Sequence, residues 1–248
     1  VNLYTTMEQQ SPAVAADPAG NFVVVWESYG SFGSDQEGTS IQMRRFRADG
    51  APLDPVEVQV NAYTWGFQKR AKVAVDWKGD FVVVWQSDRS PSGPVGWDIW
   101  ARRFSAGGSP LDPAEFRVNS STSGYQRGAA VAMDPAGSFV VAWDSEESTG
   151  TDTEGLSVQA RRYGADGVPL DAAEFQVNTY TTRFQYWPGV AVDAEGEFVV
   201  VWTSYGSGGG DTNWSIQGRR YRADGTPIDA QDVQLNAVST GQQARSFV

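Results

Sequence analysis

The sequence predicts an all-β protein: a β-propeller of four four-stranded antiparallel blades of ~59 residues, followed by the start of a fifth repeat. Three observations predict it. One pattern recurs, opening at Val1-Asn2, Val60-Asn61, Val118-Asn119, Val177-Asn178 and, incompletely, Leu235-Asn236. Each copy holds one segment that is apolar throughout. Ten Trp and 27 Gly point to strands joined by tight turns. The copies span 1–59, 60–117, 118–176 and 177–234, with a partial copy over 235–248, in one propeller domain. A β-sandwich would not need such identity between sheets, and a β-solenoid uses shorter rungs.

Within a copy the first strand is short and small, as in Ala13–Ala16, Val73–Val75, Val131–Met133 and Val190–Val192. The turn that follows runs Asp17-Pro18-Ala19-Gly20, with counterparts opening at Asp76, Asp134 and Asp193. Asp first and Gly fourth is type I turn chemistry, so strands one and two form a hairpin. The second strand, Phe22–Trp26 and its equivalents, is apolar at every position, and consecutive residues face opposite ways. Both of its faces must therefore be buried. A third strand runs from Ile41 to Phe46 and on to Gly50. A fourth, Val56–Val60, alternates Glu57 and Gln59 with Val58 and Val60, as a half-exposed outer strand does. Asn61–Ala71 then crosses to the next inner strand.

The shared residues read first as structure. Trp26, Trp85, Trp143 and Trp202 close each buried strand and serve as packing wedges. The doublets Arg44-Arg45, Arg102-Arg103, Arg161-Arg162 and Arg219-Arg220 are expected to pair with Glu57, Glu115, Glu174 and Asp232 on the next strand. Gln9, Gln68, Gln126 and Gln185 are expected to satisfy backbone groups in the crossover. Asp54, Asp112, Asp171 and Asp229 read as turn formers. The partial copy aligns Gln243 with Gln9 and Val248 with Val14. It belongs to a longer array, pairs with another subunit or packs as an extra edge; the first is favoured.

Composition narrows the function. Net charge is −11, which repels phosphate backbones, so no nucleic-acid partner is expected. No Cys and no His are present, removing thiolate sites, disulfides, and Ser-His or Cys-His catalysis. No stretch approaches the roughly 20 apolar residues of a membrane span. Val1 follows no basic segment, so an export signal is expected to be missing or removed.

Recognition is expected where the copies differ, in loops between the second and third strands. Copies one and three carry Asp35-Gln36-Glu37-Gly38 and Asp152-Thr153-Glu154-Gly155. Their oxygens make Asp35, Glu37, Asp152 and Glu154 the candidate calcium ligands, although two carboxylates per loop are too few for a dedicated site. Otherwise no cofactor is expected. Copies two and four place Trp97 and Trp214 before the arginine doublet, beside Asp98, Asp211 and Asn213. Flat rings with polar neighbours suit a sugar. Catalysis has only carboxylates to draw on, with Glu27, Asp88 and Asp144 as non-recurrent candidates.

The stretch Glu174-Phe175-Gln176-Val177-Asn178-Thr179-Tyr180-Thr181-Thr182 continues through Gln185, Val190-Ala191-Val192-Asp193 and Phe198-Val199-Val200-Val201-Trp202. It resembles a repeat of large secreted or surface-anchored bacterial proteins, over all four copies. The resemblance implies a surface, adhesion or carbohydrate-related module and transfers no functional residue. The loop Ser90-Pro91-Ser92-Gly93-Pro94 departs from the pattern. The expectation is a non-catalytic, extracytoplasmic or cell-surface propeller, acting as a scaffold with a protein partner or through self-association. A lectin-like binder using the loop tryptophans is the alternative, and a propeller glycosidase the third reading.

Overall fold

The computed structural model describes residues 1–30, 33–35, 38–89, 96–147, 150–206 and 214–237. Each copy forms one four-stranded antiparallel sheet with its strands in chain order, the blade arrangement of a β-propeller. Blade 1 holds β1 (Gln9–Ala16), β2 (Phe22–Tyr29), β3 (Thr39–Phe46) and β4 (Val58–Gln59). Blade 2 holds β5 (Gln68–Val75), β6 (Phe81–Ser87), β7 (Asp98–Phe104) and β8 (Phe116–Arg117). Blade 3 holds β9 (Gln126–Met133), β10 (Phe139–Glu146), β11 (Leu156–Tyr163) and β12 (Phe175–Gln176). Blade 4 holds β13 (Gln185–Val192), β14 (Phe198–Tyr205), β15 (Trp214–Tyr221) and β16 (Val233–Gln234). The chain divides into two compact units, Val1–Val118 with Pro135–Gly137, and Asn119–Asp134 with Ser138–Val248. Among the described residues no helix is long and apolar enough to cross a membrane.

The apolar second strands are buried as their composition demands. All seven residues of β6 are buried, and the first seven of β10. In the first unit Trp85 packs with Val23, Val25, Ile41, Met43 and Phe81; in the second, Trp202 packs with Val140, Val158, Val177 and Val200. Trp85, Trp143 and Trp202 are fully buried, so truncating one to Ala removes on the order of 3–5 kcal/mol. The type I turns form as read: Gly20 N donates to Asp17 O at 2.9 Å, while the Asp17 carboxylate accepts Asn21 N.

Several expectations are corrected. The inner strand starts four residues before Ala13, at Gln9, because a β-bulge lets the polar segment pair across Ala13 and Gln10. The glutamine therefore opens a strand rather than lying in a crossover. Its amide does satisfy a loop carbonyl, as in Gln126 Nε2 to Ser123 O at 3.0 Å. Its carbonyl also accepts the buried indole, as in Trp143 Nε1 to Gln126 Oε1 at 2.9 Å. Trp26 Nε1 makes the same bond to Gln9 Oε1 at 3.0 Å in blade 1, so in these two blades the buried indole N–H finds its acceptor in the glutamine.

The arginine pairs are real but have different partners. Arg45, Arg103, Arg162 and Arg220 bind Asp54, Asp112, Asp171 and Asp229 at 2.5 to 2.8 Å. The acids read as turn formers are thus the partners. The first arginine of each doublet lies over the aromatic ring two residues on, at 5.5 Å for Arg44 and Phe46. Glu57, Glu115, Glu174 and Asp232 instead accept backbone N–H groups about one repeat earlier, such as Tyr4 N and Ser121 N at 2.8 Å. The fourth strand holds two residues, Val58–Gln59 in blade 1, rather than the span Val56–Val60.

Each Val-Asn belongs to the sheet before it. Val60 N, Val177 N and Leu235 N donate to Ile41 O, Val158 O and Ile216 O. Asn61, Asn178 and Asn236 then accept the N–H of Ile41, Val158 and Ile216, each at 2.8 Å. Leu235-Asn236 thereby completes blade 4. Residues 238–248 of the partial copy, including Gln243 and Val248, lie outside the described residues.

Candidate functional site

The copies differ most beside the end of the second strand. Two residues there, one and three places after the buried tryptophan, share a strand face. They are Glu27 and Tyr29 in blade 1, Gln86 and Asp88 in blade 2, Asp144 and Glu146 in blade 3, Thr203 and Tyr205 in blade 4. Blade 3 alone carries two acids. The paired inner strand supplies Arg127, which lies opposite Asp144 in register. Arg127 Nη2 is 2.9 Å from Glu146 Oε1, and its Nε is 4.0 Å from Asp144 Oδ2. One guanidinium therefore serves both carboxylates.

A cleft of about 680 Å³ opens at this end of the second unit. Arg127, Glu146, Glu147, Asp152, Thr153 and Phe184 are among its walls. Glu147 sits at φ 55°, where blades 1 and 4 have Gly30 and Gly206 at 67° and 74°. A side chain costs on the order of 1 kcal/mol in that left-handed conformation, so the cleft wall keeps an acid at a strained position. Gly128, at φ 64°, is needed for close approach, because a Cβ there would collide with the Asp144 carboxylate.

Asp152 is fixed by its partners. Its Oδ2 accepts Asn178 Nδ2 at 2.8 Å and its Oδ1 accepts Glu154 N at 3.3 Å. Burial pushes the Asp152 carboxyl above its ordinary value, against the opposing pull of Asn178. Asp35 makes the same contact in blade 1, accepting Asn61 Nδ2 at 2.9 Å. The two loop aspartates among the acids read as calcium ligands therefore anchor their loops to the Val-Asn asparagine. No group of three metal-binding side chains forms among the described residues, and Glu37 lies outside them.

Of the residues read as a sugar site, Trp214 finds company. Its ring lies 5.0 Å from Tyr186 and 4.7 Å from Tyr205, and Tyr186 is 4.5 Å edge-on from Trp187. Trp187, 37% exposed, donates its backbone N–H to Asp144 Oδ1 at 3.4 Å, which ties this aromatic group to the acid strand. The Tyr186 hydroxyl is pushed up by burial and by Asp144. Asp211 and Asn213 lie outside the described residues. Trp97 and Asp98 belong to the other unit, where Asp98 opens β7 at 4.0 Å from Arg117. The lone carboxylates Glu27 and Asp88 hold backbone N–H groups of Arg70 and Phe67 at 2.7 and 2.8 Å. Sequence reasoning missed Arg127, Glu146 and Glu147. The signal was present, since a column-by-column comparison shows two acids together only in blade 3, and a Glu where blades 1 and 4 have Gly.

No family model and no curated protein matches the sequence. Its fold is similar to solved structures. An α-L-arabinofuranosidase from Fusarium graminearum, in complex with an iminosugar inhibitor, aligns over 98% of this chain and 70% of its own. Its TM-score is 0.64 at 11% identity. A Penicillium chrysogenum α-L-arabinanase complexed with arabinobiose aligns over 99% and 72%, with TM-score 0.62 and 15% identity. A thermostable family-43 glycoside hydrolase aligns over 96% and 78%, with TM-score 0.53 and 13% identity. At such identity the likeness is one of fold. It corrects the expectation of a non-catalytic scaffold, because these three proteins of similar fold are named as glycoside-cleaving enzymes. Lack of His and Cys does not exclude the fold from catalysis, since glycoside hydrolysis runs on two carboxylates.

Proposed function

We propose that the chain is a carbohydrate-active propeller of the glycoside hydrolase type, acting outside the cytoplasm, with its site in the blade 3 cleft. One observation carries the reading: Glu146 and Asp152 line the same cleft, one paired with an arginine and the other buried against an amide. Glu146 Oε1 lies 2.9 Å from Arg127 Nη2. Asp152 is buried and holds its proton more readily than an ordinary carboxyl. Two carboxyl groups in one cleft, one of them holding its proton more readily than usual, suit acid and base roles. In this reading Asp152 protonates the leaving glycosidic oxygen. Glu146 takes a proton from the water that attacks the anomeric carbon, or attacks that carbon itself. Asp144 holds Arg127, and Tyr186, Trp187, Tyr205 and Trp214 offer flat faces for sugar rings.

The test is reducing-sugar release from arabinan and arabino-oligosaccharides by the protein and its Glu146→Gln and Asp152→Asn variants. Turnover that both variants abolish, with folding intact, supports the reading; turnover they leave unchanged removes it. The aromatic group favours a second reading, a lectin-like binder. Oligosaccharide binding without turnover, lost in Trp214→Ala, selects that one.

A further inference from the structure

The chain has three lysines, Lys69, Lys72 and Lys78, and all fall on β5 or the turn that follows it. Arg70 stands among them. In a protein of net charge −11, this concentrates four cations in ten residues of blade 2. The other copies do not share the feature. Lys69 corresponds to Gln10, Arg127 and Tyr186; Arg70 to Ser11, Gly128 and Trp187; Lys72 to Ala13, Ala130 and Gly189. Strand formation therefore does not require the charges.

The cations are available. Arg70, Lys72 and Lys78 are exposed and Lys69 is half-buried, with its Nζ 4.5 Å from the centre of the Phe67 ring. None has a carboxylate within ion-pair distance among the described residues. The nearby acids are engaged elsewhere. Glu27 is buried against Arg70 N and Gln10 Nε2, Asp88 holds Phe67 N, and Asp76 holds Lys78 N and Asp80 N. Arg70 also sits at φ 55°, the bulge position that Gly128 fills without strain. A strained backbone fixed by a buried carboxylate presents this side chain at a defined point.

Aromatic plates flank the strip. Trp65, three residues before β5, is 55% exposed, and Trp77, two residues after it, is 61% exposed. Flat apolar faces at the two ends of a run of cations fit a chain of sugar rings that carries negative groups.

We propose that the β5 strip of blade 2 binds an anionic glycan, through Lys69, Arg70 and Lys72 on its carboxylates or sulfate esters and through Trp65 and Trp77 on its rings. This rests on the reading of the chain as carbohydrate-active and names the substrate class it would take. A strongly acidic protein with one cationic strip repels polyanions elsewhere, so binding is confined to that strip.

The experiment is titration calorimetry of the full chain with oligogalacturonate, sulfated dextran, neutral arabino-oligosaccharide and single-stranded DNA of matched charge, at low and high salt. The triple variant Lys69→Gln, Arg70→Gly, Lys72→Ala uses residues that other copies accept at these positions, so it is expected to fold. Expected are salt-sensitive binding of one acidic glycan and its weakening by about tenfold or more per cation removed. Preference for oligogalacturonate or for sulfated dextran identifies the anionic group. Equal binding by the triple variant, or DNA bound as well as the acidic glycans, overturns the proposal. Binding of the neutral sugar alone overturns it while sparing the carbohydrate reading; binding of no glycan removes both.

Discussion

In blade 1 the chain leaves its buried tryptophan as Glu27-Ser28-Tyr29-Gly30, and in blade 3 as Asp144-Ser145-Glu146-Glu147. Both loops then reach an aspartate held by the next asparagine, Asp35 on Asn61 and Asp152 on Asn178, at 2.9 and 2.8 Å. Gln59 and Gln176 brace the two loops alike, accepting the backbone N–H of Asp35 and of Asp152. The frame is the same and the wall is not. Blade 1 has a tyrosine and a glycine where blade 3 has two glutamates, and Gln10 where blade 3 has Arg127. A shared loop anchor explains the aspartates; only the acids and the arginine that blade 3 adds call for chemistry.

The largest effect is expected from Glu146→Gln, which should lower arabino-oligosaccharide hydrolysis roughly a hundred- to ten-thousandfold. Tyr29→Phe in blade 1 should leave the rate unchanged, and equal effects of the two would erase the contrast. Next come Asn61→Ala and Asn178→Ala. Each removes a buried amide that serves a strand N–H, a loop carbonyl and the anchor aspartate. Each should cost about 2–3 kcal/mol in urea unfolding, by leaving those groups unpaired. Similar losses show that the anchor is structural in both blades; a loss confined to blade 3 would mean that Asp152 is held for another purpose.

The repeat made the blades legible because every copy restates the same turns, buried strand and wedge. Partners were harder to read. The arginine doublet has two candidate acids per copy, Asp54 and Glu57 in the first, and sequence distance does not say which one the strand turns toward it. Asp54 lies where Arg45 can form two hydrogen bonds with it, whereas Glu57 faces the loop at Tyr4. The bulge was also hidden. It depends on a left-handed residue that is Ser11, Arg70, Gly128 or Trp187 in turn, so no residue type marks it. Of the candidate acids at the end of blade 3's second strand, Asp144 was legible as non-recurrent, whereas Glu146 and Glu147 stand out only when the copies are compared column by column.

A smaller effect separates strain from use. Glu147→Gly should raise stability by about 0.5–1 kcal/mol, the relief of a left-handed side chain less the entropy glycine loses. Gly30→Glu should destabilise by more than the reverse, because its Cβ would also meet the Tyr4 hydroxyl at 3.0 Å. If Glu147→Gly stabilises the fold and impairs hydrolysis, the strain is retained for the cleft; a stable variant with full activity would make Glu147 incidental.

The smallest effect is a pH dependence at the contact that blade 3 makes with its own entry loop. Glu174 accepts Ser120 N and Ser121 N, each at 2.8 Å, and the Ser120 hydroxyl. These donors hold its carboxyl below the ordinary 4.5 despite the opposing cost of burial. An acid with a depressed folded pKa binds protons less readily when folded than when unfolded. Its contribution is therefore complete above the unfolded value and fades as pH falls through the folded one. Glu174→Gln keeps an acceptor but loses the titration, so its unfolding midpoint should fall less steeply than the parent's as the solution is taken below pH 4.5. Parallel curves would mean that the hydrogen bonds, and not the charge, hold the loop.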